Sequence, residues 1–191
     1  MTLALAVVGV VLVVALIVIY NGLVRLRVLG DNAWADIDVQ LKRRHDLVPN
    51  VVEAVKGYMG HERGTLERVV QARSQAMEAS GPAARGDAEG GLTHALRGLF
   101  ALVESYPQLR ASEHVTELQR TLVEIENAIQ SARRYYNAVV RDFNTRVQQF
   151  PSNLAAMLFG FAPREFFQIA DADERSVPEV RVPSGGDGRQ A

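Results

Sequence analysis

The first 24 residues carry no charged side chain, and from Leu3 to Tyr20 only Gly9 departs from an unbroken apolar run. As a helix rising ~1.5 Å per residue, residues 1–24 reach ~36 Å, enough for a hydrocarbon core of ~30 Å. A cleaved signal peptide needs a basic n-region and a small-residue cleavage site. Here Met1 and Thr2 precede the run, and Tyr20-Asn21-Gly22-Leu23 follows it. The pattern predicts a retained transmembrane anchor over residues 1–24, a helical bundle domain over 25–170 and a disordered tail over 171–191.

Beyond the anchor the apolar period changes to that of amphipathic helices. Ile37, Leu41, Val48, Val52, Val55, Met59, Leu66, Val70 and Met77 fall three or four residues apart, or at multiples of that spacing. This predicts a helix over residues 31–80, jointed to the anchor at Gly30 and kinked near His45 by Pro49. Proline removes one backbone donor and crowds the carbonyl four residues earlier. Residues 79–91, with Gly81, Pro82, Gly86, Gly90 and Gly91, read as a flexible connection. Leu92, Leu96, Leu99, Val103 and Tyr106 then mark a short helix ended by Pro107.

Residues 112–150 are the most regular. Val115, Leu122, Ile129, Tyr136, Phe143 and Phe150 recur every seven residues. Leu118, Ile125, Ala132 and Val139 form a companion series that fails at Arg146. Such a two-position seam predicts coiled-coil-like packing. Its partner is the first helix of the same chain or a second copy. The first helix has its own stripe to bury, which favours packing within the chain, with homo-oligomers left open. Residues 151–169 read as a short helix capping the bundle; the alternative is an apolar segment on the membrane surface. The fold class is therefore all-α: one N-terminal transmembrane helix followed by a helical bundle with coiled-coil-like packing.

Charge adds an orientation. Arg25, Arg27, Lys42, Arg43 and Arg44 follow the span within twenty residues and none precedes it. This predicts an outside N-terminus and a cytoplasmic bundle. With 21 Lys plus Arg against 22 Asp plus Glu, bulk charge gives no reason to expect a nucleic-acid partner. The chain has no cysteine, hence no disulfide, thiolate metal site or cysteine nucleophile. His61-Glu62 is not followed by the second histidine a zinc-protease helix requires, and no histidine has a glutamate three residues before it. The four histidines read as surface residues. No catalytic residue, metal or cofactor site is expected.

Two polar features remain. Lys42, Arg43 and Arg44 crowd one helix, read as a solvated face with pairs such as Asp38 with Lys42. They would reach anionic headgroups only if the helix bent back, since they begin 18 residues beyond the span, ~27 Å along a helix. On the outer face of the heptad helix, Asn127, Arg134 and Arg141 share one position with Arg120 and Gln148, while Asn137 and Asn144 share another with Gln130. This stripe reads as solvated surface or as an interaction surface that pairs through side-chain hydrogen bonds.

A resemblance to the LemA family of bacterial membrane proteins is carried by consecutive motifs. They begin with Tyr20-Asn21-Gly22-Leu23-Val24-Arg25-Leu26-Arg27, Asn32-Ala33-Trp34 and the run from Ile37 through Lys42-Arg43-Arg44-His45-Asp46 to Pro49-Asn50. Val55-Lys56-Gly57-Tyr58, His61-Glu62, Glu104-Ser105-Tyr106-Pro107 and Glu126-Asn127 follow. Arg133-Arg134-Tyr135-Tyr136-Asn137, Phe143-Asn144 and Phe150-Pro151-Ser152-Asn153 complete the series. Residues 28–31 depart from the pattern, and the tail after Asp171 lies outside it. The resemblance implies a single N-terminal anchor, an N-outside orientation and an elongated antiparallel helical bundle in the cytoplasm of a bacterial cell, but no reaction. One relative acts in building magnetosome membranes, which implies by analogy a scaffold or adaptor binding other membrane or membrane-associated proteins, or organising membrane. The alternative is a sensor or small-ligand-binding bundle acting through a partner protein.

Overall fold

The structure, a computed structural model, describes residues 1–59 and 62–169. His61 and the expected tail over 171–191 lie outside these residues. Six helices and no β-sheet are found among the described residues: α1 (Thr2–Lys56), α2 (Arg63–Glu78), α3 (Pro82–Val103), α4 (Pro107–Arg110), α5 (Glu113–Gln148) and α6 (Ser152–Phe159). The fold is all-α, as the periodicity predicts.

The 55 residues of α1 form one helix ~82 Å long that carries the apolar span and the first bundle helix without a break. Gly30 is no joint; it lies buried inside the helix. Pro49 does not end the helix either. The carbonyl of His45 loses its helical donor to Pro49, and Arg73 of α2 supplies a replacement, Nε donating at 2.7 Å. The expected single helix over 31–80 instead stops at Lys56 and resumes as α2.

Three apolar clusters line up along α1 and α5 and establish that the two run antiparallel. Leu23 meets Phe143 and Val147 at the membrane end. Ala33, Ile37 and Leu41 share a cluster with Ile125, Ile129, Tyr136 and Val140 in the middle. Val48, Val51 and Val55 share one with Val115, Leu118 and Leu122 at the far end. The heptad seam of α5 is thus buried within the chain. Towards its C-terminus the seam drifts to Val140 and Val147, leaving Phe150 exposed. Ser112 starts α5 as its N-cap, its hydroxyl accepting from the Val115 amide.

A third layer covers this pair in two parts. The α2–α3 hairpin packs on the far half, placing Leu66, Val69, Leu92, Leu96 and Leu99 in the far cluster. The stretch expected to be a flexible connection is mostly helix: α3 starts at Pro82, right after Gly81 turns the chain at φ 84°. On the near half, α6 ends at Gly160 in the left-handed conformation. Residues 161–169 then run extended back along α1 and α5, burying Phe167 and Ile169 beside Trp34. The two parts meet where a Cβ on Gly86 would lie 2.0 Å from the Gln168 carbonyl oxygen. Glycine there lets backbone touch backbone.

Candidate functional site

Four features combine polar or exposed apolar groups in a way that bears on function. The first is a buried ion cluster joining α1, α3 and α5. Arg44 is 1% exposed, in line with Ile37, Leu41, Val48, Val51 and Val55 on the buried face of α1. It therefore does not belong to the solvated basic face expected of Lys42, Arg43 and Arg44. Its guanidinium pairs with the Glu89 carboxylate, donates to Glu126 Oε2 at 2.7 Å and to Thr93 Oγ1 at 2.9 Å. Nε has no partner. His45 is not a surface histidine, for its Nε2 lies 2.8 Å from Glu89 Oε1 and its side chain is mostly buried. Burial alone would raise the Glu89 carboxyl, but the His45 hydrogen bond and the Arg44 and His45 charges together hold it below its ordinary value.

The neighbouring charges also pair differently from the expectation. Asp38 bonds Arg85 of α3, whose guanidinium carbon lies 5.7 Å from the centre of the Trp34 ring. Lys42 pairs instead with Asp46 at 2.8 Å, and Arg43 reaches Gln40 at 3.1 Å; both lysine and arginine are exposed.

The second feature is an amide ladder. Asn137 Nδ2 donates to the Phe167 carbonyl at 2.9 Å while its Oδ1 accepts from the Phe167 amide at 3.0 Å. Asn144 does the same with Arg164, at 2.9 and 2.8 Å. The register follows from helix and strand geometry: seven helical residues rise ~10.5 Å and three extended residues ~10 Å. Two asparagines a heptad apart can therefore serve backbone groups three residues apart on an antiparallel strand. Tyr136 Oη adds a bond to the Glu165 carbonyl at 3.0 Å, and burial raises the Tyr136 phenol. Arg164 ties the strand to α1 through the Arg27 carbonyl and Asp31.

The third feature is what remains open on α5. Asn127, Arg134 and Arg141 stay exposed on its outer face, near exposed Val123 and Tyr135. Arg134 makes one local bond, to Ser131 at 3.0 Å. The expected stripe is therefore split: Asn137 and Asn144 hold the chain's own C-terminal strand, and Asn127, Arg134 and Arg141 face solvent. The fourth feature is a groove of about 770 Å³ between α1 and α2, lined by Val52, Lys56, Met59, Leu66 and Val70 among others.

Sequence reading did not find Glu89, Glu126, Arg73 or Arg164 as structural partners. A signal for Arg44 was present, because it completes the four-three spacing of the α1 seam between Leu41 and Val48. A signal for Glu89 was its setting among Ala88, Gly90 and Gly91, small residues that admit close helix approach.

The buried guanidinium and the amide ladder both fall in a region that matches a known family. The LemA family matches residues 33–182. Magnetosome protein MamQ 2 of Paramagnetospirillum magneticum is 27% identical over 204 residues, covering 91% of this chain and 75% of its own. Magnetosome protein MamQ of Magnetospirillum gryphiswaldense is 24% identical, covering 86% and 70%. Protein LemA of Metamycoplasma hominis is 25% identical over 150 residues, covering 76% and 67%. With an apolar helix long enough to cross a membrane and a helical bundle beyond it, this chain belongs to the LemA family.

Proposed function

We propose that the chain is a membrane-anchored scaffold or adaptor that holds other membrane or membrane-associated proteins at a set distance and angle from the bilayer, without catalysing a reaction. One observation carries this reading: α1 passes from the apolar span into the bundle core as a single helix. A partner bound to the bundle is then positioned relative to the membrane by a rod rather than a tether. The similarity to proteins named for the magnetosome agrees with an organising role. The partner surface is the outer face of α5, with Asn127, Arg134 and Arg141, together with Lys42 and Arg43 on α1. Both terminal nitrogens of the Arg44 guanidinium are taken up by Glu89, Glu126 and Thr93, which favours this reading over a small ligand held there.

The N-terminus lies outside and the bundle in the cytoplasm, because Arg25 and Arg27 immediately follow the span. Green fluorescent protein fused after Gly188 fluoresces and alkaline phosphatase there stays inactive; the converse reverses the topology. For the scaffold itself, a photo-crosslinking residue at Arg134 or Arg141 in intact cells should give discrete adducts with the same proteins. These are lost when Asn127, Arg134 and Arg141 are changed together to Glu. Adducts no different from those at Val70, on α2, overturn the proposal.

A further inference from the structure

The apolar run of α1 is bare from Leu3 to Val18, apart from partial cover on Leu16. That stretch has to be in hydrocarbon, and Tyr20 then sits where tyrosine is enriched, at the boundary with water. The bundle does not stop short of this level. Leu16, Ile19 and Leu23 pack in one cluster with Phe143, Val147, Ala155 and Ala156. The Tyr20 ring lies 4.7 Å from that of Phe159 and 5.9 Å from that of Phe161. Because α1 is one helix, α6 cannot be elsewhere when the span is in place.

α6 turns Ala155 and Ala156 towards α1 and α5 and leaves its other face uncovered. Leu154, Met157 and Leu158 fall at the helical spacing of one face, Met157 being 79% exposed, and Phe150, in the turn before α6, is exposed as well. Phe159 is also exposed beside them. Ser152 closes the turn from α5, its hydroxyl 2.6 Å from the Arg146 carbonyl oxygen, so the orientation of α6 is set by the bundle.

α6 itself has no basic residue, but its surroundings supply them. Residues 1–30 and 143–163 contain no Asp or Glu, yet contain Arg25, Arg27 and Arg146; Arg164, next in the chain, is paired with Asp31. Arg25, Arg27 and Arg146 are exposed, and Arg146 Nη1 reaches the side of α1 at Gly22. An apolar ridge level with the end of the span, overlain by an acid-free belt of arginines, matches the chemistry of a leaflet: acyl chains below, anionic headgroups above.

We infer that α6 is an interfacial wedge, its Leu154–Met157–Leu158 face and the Phe150 turn before it set into the leaflet through which α1 enters the bundle, with Arg25, Arg27 and Arg146 on lipid phosphates. The chain then displaces lipid in one leaflet only, beside its own span. This contact does not depend on the chain having a protein partner.

The absence of native cysteine makes single-site labelling direct. Full-length Met157→Cys and Leu154→Cys, each carrying an environment-sensitive fluorophore, are reconstituted in vesicles of phosphatidylethanolamine and phosphatidylglycerol. A Tyr58→Cys probe serves as the far-end reference. The wedge predicts blue-shifted α6 probes quenched by shallow acyl-chain spin labels, at a depth of about 5–10 Å, while the Tyr58 probe is quenched only by aqueous iodide. α6 probes quenched by iodide as strongly as the Tyr58 probe overturn the inference. So do α6 probes that become water-exposed when labelled protein is diluted into excess lipid, because a second copy, not lipid, then covers this face.

Discussion

Replacing Glu89 by Gln keeps the volume of the side chain but removes the negative charge that faces Arg44. Glu89 is fully buried and the Arg44 side chain is 1% exposed, so solvent does not screen the loss. Breaking a buried pair from one side costs about 3–5 kcal/mol, chiefly through the charge left behind. Here Glu126, 29% exposed, still holds Arg44 at 2.7 Å, which puts the expected loss at the lower end, about 3 kcal/mol. At about 2–4 °C per kcal/mol for a bundle of this size, Tm falls by about 6–12 °C. Trp34 is the only tryptophan and packs on Tyr136 and Phe167, so its fluorescence follows bundle unfolding without a contribution from the span. Arg44→Met alone should be destabilising by a similar amount, since it leaves Glu89 buried with His45. Combining the two should cost much less than their sum, with a coupling of about 2 kcal/mol in the double-mutant cycle. Additive losses, or a Glu89→Gln variant within about 0.5 kcal/mol of the parent, would refute the view that this pair acts as a unit.

The same cluster sets a pH dependence. The folded Glu89 carboxyl titrates below its unfolded value, so its contribution is present above the ordinary carboxylate range, ~4.3, and is lost as pH falls through the lower folded value. The Tm gap between parent and Glu89→Gln should therefore hold from pH 7 to about 5 and close in more acidic buffer; a gap that widens on acidification contradicts this sign. Arg73→Ala leaves the His45 carbonyl without its donor and should cost about 1–2 kcal/mol in urea unfolding, but less in a Pro49→Ala background, where the helical N–H is restored. Equal losses in both backgrounds would show that Arg73 acts otherwise. Gly86→Ala, a change that stabilises an ordinary helix by up to about 1 kcal/mol, should here lower Tm, because the new methyl collides with the Gln168 carbonyl. Asn137→Ala should speed hydrogen exchange at the Phe167 amide while leaving the α5 amides near Ile125 protected.

The sequence was most informative where a single periodicity ruled. In α5 the heptads identify Val115 to Phe143 as core, and burial follows them until Val140 and Val147 take over at the membrane end. α1 was harder to read. Proline and glycine signal breaks, but here neighbours compensate both: Arg73 replaces the donor lost at Pro49, and Arg164 and Val139 pack on Gly30. The glycines of residues 79–91 suggested a loose connection, whereas two of them, Gly86 and Gly90, are buried in α3. At Gly86 the physical need is close backbone approach rather than flexibility. The residue type of Arg44 points to solvent and its register to the core, and register is decisive. Asn137 and Asn144 were recognised as a stripe, but their partner is an extended strand, which no helix period announces.

Whether one rigid helix joins membrane and bundle can be measured as a distance. Val10 and Val39 are both exposed on α1 and lie on either side of Gly22 and Gly30. In nanodiscs, spin labels at Val10→Cys and Val39→Cys should give a single narrow distance distribution centred near ~43 Å, the rise of the intervening helix. A broad distribution reaching well below that separation would mean a joint at the membrane surface, and would contradict the scaffold reading.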